Sequence, residues 1–216
     1  MILAAGKGTR LAPLTDHTPK PMLSLGGKPL IQWQVEALRE AGVQEVVINL
    51  HHLGEQISTH LGDGETFGLH ITYSTEPELL ETGGGIVHAL PLLGEKPFWL
   101  LNGDIWTNFD FATLPITPEG DDLAHMVLTP TPENRQAGDF EHNAGRVTSR
   151  GNSFVYCGIA ALSPKLFDDQ QQQHFSLRDL YFKAVAAGRV SGQIHQGVWH
   201  DIGTRHEYES LAATLA

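Results

Sequence analysis

Short apolar runs bounded by glycine or proline recur along the chain at residues 1–5, 45–50, 69–74 and 98–101. Their length and lack of polar alternation predict strands buried on both faces. Between the first two, Pro29 opens a segment in which Ile31, Val35 and Leu38 share a helical face, and Gly42 stands where a C-terminal cap belongs. A second helix is predicted over 53–61, with Leu53, Ile57 and Leu61 one turn apart. A third starts near Thr82 and carries Ile86, Ala89 and Leu90. Strands alternating with helices make right-handed parallel βαβ units. The expected fold is therefore α/β, an open Rossmann-like sheet, mixed but mostly parallel, with helices on both faces.

The second half is less regular. Residues 123–129 and 154–162 predict strands, 198–202 a shorter one, and Ser176 with Asp179 and Thr204 with Glu207 resemble capping boxes opening the last two helices. The glutamines at 171–173 predict a surface loop or helix end. No linker or internal repeat interrupts the chain, so one domain is expected over 1–216. Its halves span about 1–112 and 123–216, and a loop at 115–122 joins them.

Charge narrows the partners. Against 14 Lys and Arg stand 25 Asp and Glu, a formal net charge of −11, which supplies no basic stripe for a nucleic acid. Phosphate ligands must be met locally. No apolar run approaches the roughly 18 residues of a membrane helix, and Cys157, the lone cysteine, fits a reducing cytoplasm and a small buried hydrophobe. The twelve histidines lack HxxxH or HExxH spacing and suit surface positions, with His200 a packing residue. Nothing in the pattern specifies an oligomeric state.

The chemistry concentrates after the first strand. In Leu3, Ala4, Ala5, Gly6, Lys7, Gly8, Thr9 and Arg10, two glycines let backbone N–H groups approach a triphosphate, and Lys7 and Arg10 add local positive charge. A dinucleotide fingerprint would need glycine at Leu11, and a P-loop would need GxxxxGK followed by Ser or Thr, so both are excluded. Prolines on either side of Lys20 fix the backbone there. Leu101, Asn102, Gly103 and Asp104 end the buried strand that starts at 98 with an acidic residue, where open α/β sheets place ligand groups.

Taken together, GKGTRLAPLTDHTPKPM resembles the signature of the sugar-1-phosphate nucleotidyltransferases, and the resemblance spans most of the chain, weakening between about 113 and 153. It implies the nucleotide-diphospho-sugar transferase fold. It implies a triphosphate on Leu3 to Thr9, Arg10 against the leaving pyrophosphate, and Lys20 at the reacting centre. Asn102, the segment ending in Glu76, and the Glu81 to Gly85 segment with Thr82 and Gly83 are the implied nucleotide contacts. The element Trp199, His200, Asp201, Ile202, Gly203, Thr204 resembles the family's W-x-D-x-G-T, and the resemblance makes Asp104 and Asp201 the ligands of a catalytic Mg2+. Asp139 and Gly158 match sugar-side positions. The family's Glu-Lys-Pro element is missing, and Arg146 or Arg150 is the candidate substitute for its lysine.

Compact length, the ETGGGI and GDIWTNFDF segments and the missing Glu-Lys-Pro resemble most the uridylyltransferase branch acting on N-acetylmuramate 1-phosphate in cell-wall recycling. The expected substrates are therefore UTP and that sugar phosphate. The chain leaves no room for the acyltransferase or β-helix extension of some relatives, so no second activity is expected. Two alternatives stay open: a hexose-1-phosphate guanylyl- or thymidylyltransferase, such as a mannose 1-phosphate enzyme, and a non-catalytic sugar-nucleotide sensor.

Overall fold

The computed structural model describes residues 1–133, 135–170 and 174–215; the glutamine run at 171–173 lies outside them. In chain order come β1 (Ile2–Leu3), β2 (Ser24–Leu25), β3 (Lys28–Pro29), α1 (Leu30–Glu40), β4 (Glu45–Leu50), α2 (Gly54–Leu61), β5 (His70–Thr75), α3 (Glu81–Leu93), β6 (Phe98–Asn102) and β7 (Ile105–Thr107). There follow β8 (Ala124–Pro130), β9 (Phe140–Asn143), β10 (Arg146–Arg150), β11 (Phe154–Leu162), α4 (Leu177–Ala186), β12 (Val190–Ile194), β13 (Trp199–Asp201) and α5 (Arg205–Thr214). A nine-stranded sheet runs in the order β5-β4-β1-β6-β11-β8-β12-β10-β9. Only β11 and β10 run against the other strands, so the sheet is mixed and mostly parallel, as expected.

Two apolar layers sandwich the sheet. On one face Ile31, Val35 and Leu38 of α1 and Ile57 and Leu61 of α2 pack with Ile2, Ile48 and Leu101. On the other, Ile86 and Ala89 of α3 and Leu180 and Ala184 of α4 pack with Leu100, Met126 and Ala160. Burying one such aliphatic side chain contributes about 1.5–3 kcal/mol. A third, smaller cluster joins Leu11, Leu23, Leu25 and Leu30 to Ile202 and Leu211, which fastens α5 and the end of β13 to the loops that follow β1.

The first strand is shorter than the apolar run 1–5, because the Ala4 N–H bonds the Asn49 side chain at 2.7 Å instead of a neighbouring strand. Thr204 and Glu207 form the expected capping box. Ser176 caps α4 differently: its hydroxyl accepts from Arg178 N–H, while Asp179 N–H turns back to the Ser176 carbonyl. The short strand expected at 198–202 is β13, but the pattern missed the hairpin of β9 and β10, the strand β12, the ribbon β2–β3 and the β7 that pairs with β13, all short or mixed in polarity. Not every histidine is a surface residue: the half-buried His125 bridges Ser191 and Gln193 at 3.0 Å each.

Candidate active site

The carboxyl ends of β1, β4 and β6 open on a cleft of about 430 Å³. Its walls include Leu3, Ala4, Ala5, Gly6, Gly8, Thr9, Arg10, Lys20, Thr82, Asn102 and Asp104 of the expected set. Gly8 takes a left-handed conformation, φ +63°, that starts the short 3-10 turn Thr9–Leu11 and would strain any other residue. A Cβ there would also sit 3.0 Å from the Thr15 methyl. Lys7 is exposed and stands outside the cleft wall.

Lys20 is 8% exposed. The extended Pro19 and the Pro21 that follows hold it in the 3-10 turn Lys20–Met22, and its Nζ lies 2.7 Å from Asp104 Oδ2. Asp104 sits in the tight turn between β6 and β7. Gln34, buried on α1, fixes that turn by donating to the carbonyls of Asn102 at 2.8 Å and Ile105 at 3.0 Å. Gly103 is required there because a Cβ would fall 2.4 Å from the Leu3 carbonyl oxygen.

The second carboxylate arrives through β13, which pairs antiparallel with β7 so that Asp201 opposes Ile105, while the Ile202 N–H reaches the Asp104 carbonyl at 2.9 Å. Burial, then the neighbouring Asp104 charge, push the Asp201 carboxyl above the usual aspartate range, with Lys20 and Arg135 pulling it back. Arg135 Nη2 lies 2.7 Å from Asp201 Oδ2. Among the described residues no group of three or more His, Cys, Asp and Glu is arranged for a metal ion. The donor set is two carboxylates, each neutralised by one cation. His200 packs on Trp106, centroids 6.2 Å apart, and burial lowers its pKa, as befits a neutral packing residue. Gly203 leaves room for Arg10: a Cβ there would lie 3.0 Å from Arg10 Nη1.

The family of the chain follows from comparison as well as from this geometry. The nucleotidyl transferase family profile matches residues 1–216. The N-acetylmuramate alpha-1-phosphate uridylyltransferase of Neisseria meningitidis serogroup B is 43% identical over 214 residues, 94% of this chain and 92% of that one. The enzyme of the same description from Caulobacter vibrioides is 35% identical, over 100% of this chain and 96% of that one. The chain belongs to the nucleotidyl transferase family. Its fold is also that of HddC from Yersinia pseudotuberculosis, at a TM-score of 0.81 and 24% identity, covering 100% of this chain and 98% of that chain.

Beyond Asn102 and Thr82 the nucleotidyl transferase cleft continues into a cavity of about 180 Å³ lined by Asp139, Tyr156, Arg178, Tyr181 and Phe182. Asp139 is at its edge, with one carboxylate oxygen accepting from Tyr156 N–H at 3.0 Å. Burial raises the pKa of both tyrosines, so their facing hydroxyls, 3.2 Å apart, stay neutral. Gly158, φ +74°, forms the bulge in β11 that lets Asn102 lie against the strand, where a Cβ would come within 2.9 Å of it.

Other expected residues stand behind the walls. Glu76 is 2% exposed, and its carboxylate accepts from Asn49 Nδ2 at 2.7 Å and Leu80 N–H at 3.1 Å. Asn49, unremarked in the sequence, is therefore the group that reaches the cleft, at the polar end of an otherwise apolar strand. Gly83 lies under the Phe175 ring, 2.2 Å from where its Cβ would be, and Gly85 faces the Glu76–Asn49 pair in the same way. These glycines serve close packing of α3. Cys157 is buried, its pKa pushed up by that burial, and its carbonyl anchors the Trp199 indole at 2.9 Å.

Arg146, one candidate substitute for the absent lysine, is committed elsewhere, gripping Asp122 and the Gly188 carbonyl. Arg150 lies 4.2 Å over the Phe182 ring. The arginine brought to the carboxylate pair is Arg135. Its signal was its place just ahead of Gly138, Asp139 and Phe140 in the segment where the family resemblance fades.

Proposed function

We propose that the chain is a uridylyltransferase that transfers UMP from UTP to N-acetylmuramate 1-phosphate and releases pyrophosphate. The observation that carries it is the meeting of the glycine loop, Lys20 and Asp104 in one cleft that runs on into a second cavity, within a chain related along its length to uridylyltransferases of that description. UTP is a cytoplasmic metabolite, which supports a cytoplasmic enzyme that recycles cell-wall sugars.

A sugar-phosphate oxygen attacks the α-phosphorus in line with the departing pyrophosphate. One P–O bond forms as another breaks, so no protein nucleophile is needed, and positioning and charge neutralisation supply the catalysis. Loop amides from Ala5 to Thr9 and the Arg10 guanidinium bind the triphosphate. Lys20, pre-set by its prolines, stabilises charge at the reacting centre, and Asn49 with Thr82 borders the base. Asp104 and Asp201 would hold magnesium: both are hard oxygen donors, and the Asp201 carboxyl, raised by burial and then by the Asp104 charge, is a site where a divalent cation would offset the negative charge. When bound, that ion supplies positive charge to the phosphate oxygens. Asp139 and the bulge at Gly158 border the sugar.

The test is pyrophosphate release with and without EDTA, across UTP, dTTP, GTP, CTP and ATP paired with N-acetylmuramate, N-acetylglucosamine, glucose and mannose 1-phosphates. Activity confined to UTP with N-acetylmuramate 1-phosphate, and lost in EDTA, is the expected result. A different productive pair replaces the substrates, and binding without any release makes the chain a sensor.

A further inference from the structure

Each carboxylate of the candidate centre carries one cation, and the two cations come from opposite halves of the sheet. Lys20 approaches Asp104 from the glycine-loop side. Arg135 approaches Asp201 from the segment between β8 and β9 that leads directly into Asp139 and the second cavity. Their exposure differs. Lys20 is held between prolines with its side chain 9% exposed, whereas the Arg135 side chain is 33% exposed and its guanidinium rests 5.3 Å from the Trp199 ring centroid.

The Arg135–Asp201 pair is half-buried and reached by water on one side, so the guanidinium can exchange its partner for an anion that enters there. Arginine is also the side chain whose planar fork matches a phosphate with two parallel hydrogen bonds. Of the other arginines on the sugar side, Arg146 is fixed on Asp122, Arg189 on the Asp121 carbonyl and Arg150 over Phe182, while Arg178 lines the second cavity without contacting either carboxylate.

We propose that Arg135 binds the phosphate of the incoming sugar 1-phosphate, leaving Asp201 for the phosphate oxygens when substrate enters. The proposal rests on the nucleotidyl-transfer reading above. Asp201 holds Arg135, keeping the guanidinium beside the Trp199 ring. Once a divalent cation takes the Asp201 carboxylate, Arg135 loses its present partner, and the dianionic sugar phosphate is the group that replaces it. Lys20 and Arg135 thereby divide the two substrates, the first serving the nucleotide and the second the sugar phosphate.

Equilibrium binding separates this from a structural role. Wild type, Arg135→Gln and Arg135→Lys are loaded with magnesium and the α,β-imido analogue of UTP, then titrated with N-acetylmuramate 1-phosphate, glucose 1-phosphate and mannose 1-phosphate. For the sugar phosphate that wild type binds, Arg135→Gln raises Kd about 10- to 100-fold, the worth of a charged hydrogen-bond pair. Arg135→Lys recovers part of the loss, and the Kd of the UTP analogue moves less than about twofold, within the scatter of such contacts. An unchanged sugar-phosphate Kd in Arg135→Gln, or an equal loss for the UTP analogue, overturns the assignment. If wild type binds glucose or mannose 1-phosphate instead of N-acetylmuramate 1-phosphate, the substrate reading falls while the Arg135 comparison is decided on the sugar phosphate that binds. Wild type that binds no sugar 1-phosphate overturns both.

Discussion

The two sides of the cleft are built in opposite ways. On the nucleotide side, β1, β4 and β6 are parallel neighbours, and the groups at their ends come from one continuous stretch, Leu3 to Lys20, with Asn49 and Asp104 added by adjacent strands. On the sugar side the strands are largely antiparallel and bulged, and Asp139, Tyr156, Arg178 and Asp201 are delivered by separate elements far apart in the chain. Parallel strands align their carboxyl ends, so a local loop suffices to bind phosphates there. Antiparallel strands scatter their ends. A site on them depends on long-range pairings such as β7 with β13 and Asp139 with β11.

Breaking the junction of the two sides should have the largest effect. Asp104→Ala removes the carboxylate that pairs with Lys20 while keeping the main-chain carbonyl that holds Ile202, and turnover measured by pyrophosphate release falls about a thousandfold, the scale of losing a preorganised charge. A fall under tenfold would mean the carboxylate is dispensable. Gly158→Ala tests the sugar-side strand where it meets Asn102. The left-handed backbone and the contact with Asn102 together cost about 2–4 kcal/mol of stability in urea denaturation, and a neutral result would show that β11 can flatten.

Asn49→Ala tests the nucleotide side. It strips the Ala4 N–H and the buried Glu76 carboxylate of partners, so stability drops by about 1–3 kcal/mol and the UTP KM rises while the sugar-phosphate KM holds. Parallel increases in both would argue for a global change. The smallest effect is a pH dependence in magnesium-free protein. An acid with a raised pKa in the folded state binds its proton more tightly when folded, so losing that proton as pH rises destabilises the fold. Asp201→Asn therefore raises the melting temperature at neutral pH. The gain shrinks as pH falls through the Asp201 pKa toward the ordinary aspartate value of about 3.9, and a gain constant with pH would refute the assignment.

Legibility followed the same division. The α1 face of Ile31, Val35 and Leu38, the strand Glu45–Leu50 and the cap at Thr204 could be read directly, because each depends on residues within a turn or two of one another. The hairpin of β9 and β10 was hidden by polar residues on both strands, and β12 by its small ones. Glu76 and Gly83 matched a family pattern whose backing role shows only in contacts with Asn49 and Phe175.

By itself the sequence determined the α/β class, the family and the loop from Leu3 to Lys20, since hydrophobic period and a contiguous motif are local properties of the chain. Only the tertiary structure decided that Asn49 stands in front of Glu76, that Arg146 is spent on Asp122, and that Arg135 meets Asp201. Those outcomes hang on which distant side chains share one small volume, and an ion pair forms wherever the fold first brings opposite charges within reach.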